Sequence, residues 1–168
     1  MNPLGYIDNN LLADENIVYK TRLHKIIFFY PVLWMVIAIA AWFLIPGDER
    51  ELAGFPIKVE DLKLGVTAIF AAMSLLQGFV IYLRYISSEF AVTDQRLIVK
   101  TGLVRRSTFE LFLKRLEGVQ VNQSVTGRIL GYGTITASGT GGLQDSFEMI
   151  SSPLEFRGNI QKCASEFN

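Results

Sequence analysis

The sequence predicts an integral membrane protein in which a hairpin of two transmembrane α-helices carries a small β-rich domain capped by a C-terminal α-helix. Three observations predict it. Two runs of 20 residues, Ile26–Ile45 and Leu64–Leu83, contain no charged residue. After residue 87 the chain changes to short segments that alternate apolar and polar residues. It then closes on one amphipathic stretch with clear helix-start signals.

A helix rising about 1.5 Å per residue needs about 20 residues to cross a hydrocarbon core of about 30 Å. A soluble helix is seldom apolar on every face for that length, so both runs read as membrane spans. The first follows 25 residues that include Asp8, Asp14 and Glu15, and no small-residue cleavage site comes after it. It is therefore expected to be retained rather than removed as a signal peptide. Residues 1–25 form a lead-in, 26–86 the helical hairpin with an outer loop at 46–61, and 87–168 a separate β-rich domain.

Lysine and arginine near the span ends set the expected orientation. Lys20, Arg22 and Lys25 precede the first span, and Arg84 and Arg96 follow the second. The intervening loop holds Arg50 and Lys58 against Asp48, Glu49, Glu51, Glu60 and Asp61. Both termini are expected in the cytoplasm, with the acidic loop outside. Tyr30, Tyr82 and Tyr85 would lie at the inner interface and Trp42 at the outer one, where amphipathic rings prefer to sit. Pro31 lacks a backbone donor and is expected to kink the first helix.

The second span carries small residues at helical spacing, Ala71, Ser74 and Gly78, with Gln77 beside them. Such a face lets another helix approach closely. That helix is either the first span of the same chain or one from another protein or another copy. Neither span contains an acidic residue, lysine or arginine, which argues against proton or ion-coupled transport.

Glu89–Thr93 and Arg96–Thr101 read as two strands joined by the polar pair Asp94-Gln95. Further strands are expected over 109–113, 118–123, 133–137 and 146–150, with a short helical turn over 125–130 closed by Gly131. Asn16–Arg22, in which Ile17, Tyr19 and Thr21 alternate with polar residues and valine, is a candidate for one more. Ser152-Pro-Leu-Glu155 combines a serine N-cap, a proline at the first helical position and a glutamate placed for a capping box. Phe156, Ile160, Cys163 and Phe167 then form one apolar stripe.

Some 80 residues of short antiparallel strands closed by one amphipathic helix is the plan of a pleckstrin-homology-like barrel. Glu89-Phe-Ala-Val-Thr-Asp-Gln-Arg-Leu-Ile-Val-Lys-Thr-Gly102 resembles the opening of the bacterial pleckstrin-homology (PH) domain of the second type, formerly a domain of unknown function. Leu116-Glu-Gly-Val-Gln-Val-Asn-Gln-Ser124, followed by Arg128-Ile-Leu-Gly-Tyr-Gly-Thr134, is similar to that family's second signature. Leu11-Leu12, Glu15 and His24 resemble its lead-in, although Ala13-Asp14 stand where the family usually has Pro-Gly. The resemblance covers most of the chain and implies a membrane-anchored form with a seven-stranded barrel.

Candidate sites are few. His24, the only histidine, reads as an interfacial residue, since a catalytic base needs a partner and a pocket. The lone cysteine, Cys163, reads as a small core hydrophobe, and one cysteine rules out an internal disulfide. Asp94 and Arg96 read as turn chemistry with a structural ion pair. Gly131-Tyr-Gly133 and Gly139-Thr-Gly-Gly142 lack the spacing and the following lysine of phosphate loops. No cofactor, metal site, nucleic-acid partner or small-molecule substrate is expected, and no enzyme activity. Arg105-Arg106 and Lys114-Arg115 flank the third strand and are candidate contacts to lipid or a partner; each cation near an anionic leaflet contributes about 1 kcal/mol. The domain after Ile86 holds nine cations and eight acids, so any basic patch is local. The leading expectation is a non-catalytic module acting as scaffold, accessory or assembly subunit of a membrane protein complex. Recognition of anionic lipid headgroups is the alternative, and fold alone does not transfer it. Expected partners are the bilayer and other membrane proteins or further copies of the chain.

Overall fold

The computed structural model describes residues 5–46, 58–102 and 106–167. The chain divides into two compact units. One comprises residues 25–82, and the other unites residues 1–24 with residues 83–168.

The first unit is helical. A 3₁₀ turn, Lys25–Phe28, leads into α2 (Phe29–Leu44), and α3 (Val59–Ser87) continues beyond the unit. Pro31 therefore lies in the first turn of α2, where an amide donor is not required, and the expected kink is replaced by a change of helix type just before it. The two helices run antiparallel. The Ser74 hydroxyl donates to the Pro31 carbonyl at 2.9 Å, Trp34 stacks on Phe70 with ring centroids 5.5 Å apart, and Lys63 lies 4.5 Å above the Trp42 ring. A methyl group at Gly78 would lie 3.7 Å from the Pro31 Cβ, an ordinary van der Waals contact, so this position faces α2.

The second unit contains two antiparallel sheets. The first has the order β1 (Ile17–Thr21), β2 (Glu89–Thr93), β3 (Arg96–Thr101), β4 (Ser107–Phe112). The second has the order β5 (Leu116–Asn122), β6 (Tyr132–Gly139), β7 (Leu143–Ser151). β1 thus pairs with β2 across the whole helical hairpin, with Thr21 opposite Phe90. The expected closed barrel is not formed among the described residues. A single bridge, Leu23 to Ile150, with the Ser151 N–H to Arg22 carbonyl and His24 N–H to Met149 carbonyl bonds, links β7 to the chain after β1. On the other side a 3₁₀ turn, Leu113–Arg115, takes the chain from one sheet to the next. Turning the corner on a short helix leaves no strand residue there to continue the ladder, so the sheets stay separate.

α5 (Pro153–Ser165) covers the gap. Its Phe156, Ile160 and Cys163 are buried with Phe90, Val92, Leu97, Ile135 and Ile150, and Phe156 meets Tyr19 of β1 at 6.0 Å. Two details depart from expectation. Ser152 has a left-handed backbone (φ 49°) and its hydroxyl caps nothing; its N–H is instead bonded to the Gly131 carbonyl. Phe167 lies past the helix end and is exposed.

β2 and β3 are buried on both faces. The inner face holds Phe90, Val92, Leu97 and Val99; the outer face is covered by the lead-in, where Ile7 of α1 (Tyr6–Asn9) packs on Ala91 and Ile98. Burying the outer face also buries its polar residues, which therefore need partners. Glu89 accepts the N–H groups of Tyr6 and Ile7, and Lys100 lies 5.1 Å above the Tyr6 ring. Arg96 does not pair with Asp94, whose carboxylate accepts from Asn16. Its guanidinium instead grips Glu15 in a two-point fork, Nε and one terminal nitrogen each at 2.9 Å. It also reaches Glu110 at 2.5 Å and the Asn10 carbonyl at 2.9 Å. Glu15 further accepts the Leu12 N–H at 2.7 Å and lies 2.7 Å from the Thr93 hydroxyl. Asp14, just before it, has φ 64°, so the turn keeps the left-handed geometry that glycine adopts freely.

Burial pushes the Glu15 carboxyl up, but the hydrogen bonds from Arg96, Leu12 and Thr93 and the attraction of Arg96 outweigh it, and the group sits below its ordinary value of 4.5. A lowered carboxylate contributes stability above its unfolded pKa and loses it as pH falls through the folded one. Glu15→Ala should cost about 1–3 kcal/mol, since Arg96 loses its forked partner but keeps Glu110 and the Asn10 carbonyl. Denaturation of the full-length chain in detergent should also show the gap between wild type and Glu15→Gln narrowing as pH drops below 4.5. A gap independent of pH would contradict the assignment.

Candidate functional site

The candidate contact residues do not form one site. Arg106 stands just before β4, and Lys114 and Arg115 in the turn just after it; Arg105 lies outside the described residues. A six-residue strand spans about 20 Å, so the two ends of β4 cannot act on one headgroup. The Arg106 end is the one at which the chain leaves β1 and enters β2, since Thr101 pairs with Ser107 and Glu89 with Lys100. The other end adjoins the Asp94-Gln95 turn, where the Leu113 N–H meets the Gln95 carbonyl. There Lys114 sits 5.1 Å above the Phe167 ring, and the Arg115 carbonyl accepts from Thr140.

A hollow of about 460 Å³ in the β-rich unit opens at the Arg106 end between Ser107 of β4 and Asp145–Glu148 of β7. Its lining includes one cation, Arg84, and two acids, Asp145 and Glu148, a balance ill suited to an anion. Of the packing face, Ser74 and Gly78 contact α2 as described, whereas Ala71 and Gln77 are half-buried. Cys163 is buried, and burial raises its thiol pKa, which lowers its reactivity.

His24 donates its N–H to the Met149 carbonyl, and its ring lies 5.4 Å from that of Tyr132. Tyr132 in turn places its hydroxyl 3.1 Å from Thr126 of α4 (Val125–Leu130). Ser124 caps α4 by accepting the Gly127 N–H. Gly131 ends the helix at φ 79°. Val125 and Ile129, one turn apart, are 75% and 78% exposed, and Leu130 is exposed beside them. Sequence reasoning located this helix but assigned it no role; its signal was apolar residues at i and i+4 on a helix too short to bury them.

The family described as bacterial PH domain matches residues 23–161. No curated protein matches the chain, and no solved structure does. The match begins after β1, so Glu15 and the strand that completes the first sheet lie upstream of it.

A Cβ at Gly127 would meet the Tyr132 carbonyl at 2.6 Å and the Ser124 hydroxyl at 3.2 Å. Gly127→Ala should therefore displace α4 from Tyr132 and cost about 1–3 kcal/mol, as overpacking does. Wild-type stability in this variant, measured by the same denaturation, would show that α4 is only loosely held. From the match over residues 23–161, together with two antiparallel sheets and a C-terminal helix, this chain belongs to the bacterial PH domain family.

Proposed function

We propose that the chain is a non-catalytic PH-like module, anchored in the bacterial cytoplasmic membrane with both termini inside, that serves as scaffold, accessory or assembly subunit of a membrane protein complex. Anchoring is supported by two helices long and apolar enough to cross a bilayer, with mean hydropathies of 2.3 and 2.0. The β1–β2 pairing supports the shared side of the termini. Thr21 and Phe90 are paired positions on adjacent strands, so any barrier crossed by the helices between them is crossed an even number of times.

The observation that carries the scaffold reading is the uncovered surface of the hairpin. Only 11% of the first apolar window and 6% of the second is buried. Between the helices runs an open groove of about 490 Å³, lined by residues such as Val32, Met35, Leu75 and Phe79. In a bilayer that surface meets lipid or the helices of another protein. The headgroup reading has weaker support, because β4 separates the basic residues and the hollow beside Arg106 carries two acids.

Gentle solubilisation of the tagged full-length chain, with sizing and mass spectrometry of what accompanies it, tests the proposal. A stoichiometric membrane partner is expected. Arg105→Gln/Arg106→Gln should retain as much anionic lipid through purification as the wild type. A particle of this chain alone, with lipid retention lost in the double variant, would overturn the scaffold reading in favour of headgroup recognition.

A further inference from the structure

We propose that α4 is a membrane-surface element, its exposed apolar residues seated at the headgroup–acyl boundary of the bilayer that holds the two helices. The inference rests on the anchored reading above and adds a second contact to it.

Chain connectivity and four contacts carry it. His24 is the residue immediately before the 20-residue helical stretch Lys25–Leu44. Its ring touches Tyr132 at 5.4 Å, and the Tyr132 hydroxyl is 3.1 Å from Thr126 on α4. The neighbouring backbone is fixed as well, through the His24 N–H to Met149 bond and the Leu23–Ile150 bridge. α4 is thus tied, by two ring and hydroxyl contacts, to the point where the chain enters its first apolar helix. A helix that starts in the interface holds α4 at the same interface.

The chemistry of α4 fits that position. Val125, Ile129 and Leu130 project from the protein, and Leu154 of the first turn of α5 is exposed beside the hollow that Arg128 lines. Such exposure in water is unfavourable by roughly 25 cal/mol per Å² of apolar surface, and interfacial helices recover it by lying about 5–10 Å into the headgroup boundary. Arg128 is the only charged residue between Gln123 and Tyr132, and Arg22 and Lys25 are exposed beside His24. These cations complement an anionic leaflet. Glu155, which lines the same hollow as Arg128, is also engaged with the Tyr19 phenol.

The test uses the full-length chain in vesicles of mixed zwitterionic and anionic phospholipid, with Cys163→Ala removing the native thiol. An environment-sensitive fluorophore is placed in turn at Ile129→Cys, at Ile39→Cys in α2 and at Thr140→Cys, an exposed turn position near Arg115. Quenching by lipids spin-labelled at shallow or deep positions is then read. The expected result is quenching at Ile39 and at Ile129, with Thr140 unaffected. Ile129 should respond about twofold more to the shallow label than to the deep one, as interfacial depth requires. Quenching at Ile39 without quenching at Ile129 would overturn the α4 inference and leave the anchor intact. An Ile129 label shielded from water but unquenched by lipid would also overturn it, in favour of a protein on that face. No quenching at Ile39 would remove the anchor itself and the inference with it.

Discussion

The fork between Glu15 and Arg96 is the constraint on which the β-rich unit depends. It joins a carboxylate in the lead-in to a guanidinium 81 residues later on β3, and both are buried. A buried pair contributes little net stability compared with apolar residues of the same volume, yet losing one partner is strongly destabilising. Its value here is registry. With Thr93 and Asn10 bound to the same cluster, the lead-in has one position on the sheet in which every polar group is satisfied.

That position decides the character of the first sheet. An antiparallel sheet of this size commonly leaves one face in water, and its strands then alternate. In β2 and β3 the alternation is hidden, because Ile7 and its neighbours cover the outer face while α5 and the second sheet cover the inner one. The outer face mixes Ala91 and Ile98 with Glu89, Thr93, Arg96 and Lys100, and each of these polar side chains has a partner. The lead-in works as a lid made of sequence that precedes the two apolar helices.

Much of this was legible in the sequence. The paired strands at 89–93 and 96–101 stood out because the Asp94-Gln95 turn separates two β-branched runs, and the helical turn at 125–130 because Gly131 can take φ 79°. The alternation of Ile17, Tyr19 and Thr21 pointed to β1, which the structure pairs with β2. What was not legible depends on distant partners. Nothing local tells Arg96 to choose Glu15 over Asp94, two residues away. The open corner between the sheets depends on a 3₁₀ turn that Leu113-Lys114-Arg115 does not signal. Ser152 matched a capping pattern, but a bond from its own N–H to Gly131 turned the hydroxyl away from the helix.

The pairing of β1 with β2 makes the helical hairpin a turn. Asp94-Gln95 reverses the chain between β2 and β3 with two residues; between β1 and β2 the same reversal takes the whole stretch from Thr21 to Glu89. Closing a flexible loop costs entropy that rises with the logarithm of its length, but an antiparallel helix pair is already folded back, with Pro31 beside Ser74. The β-rich unit can therefore finish folding only after both helices have formed and turned the chain around. A chain whose hairpin has not closed keeps Glu15 and Arg96 apart, and the outer face of the first sheet then stays uncovered.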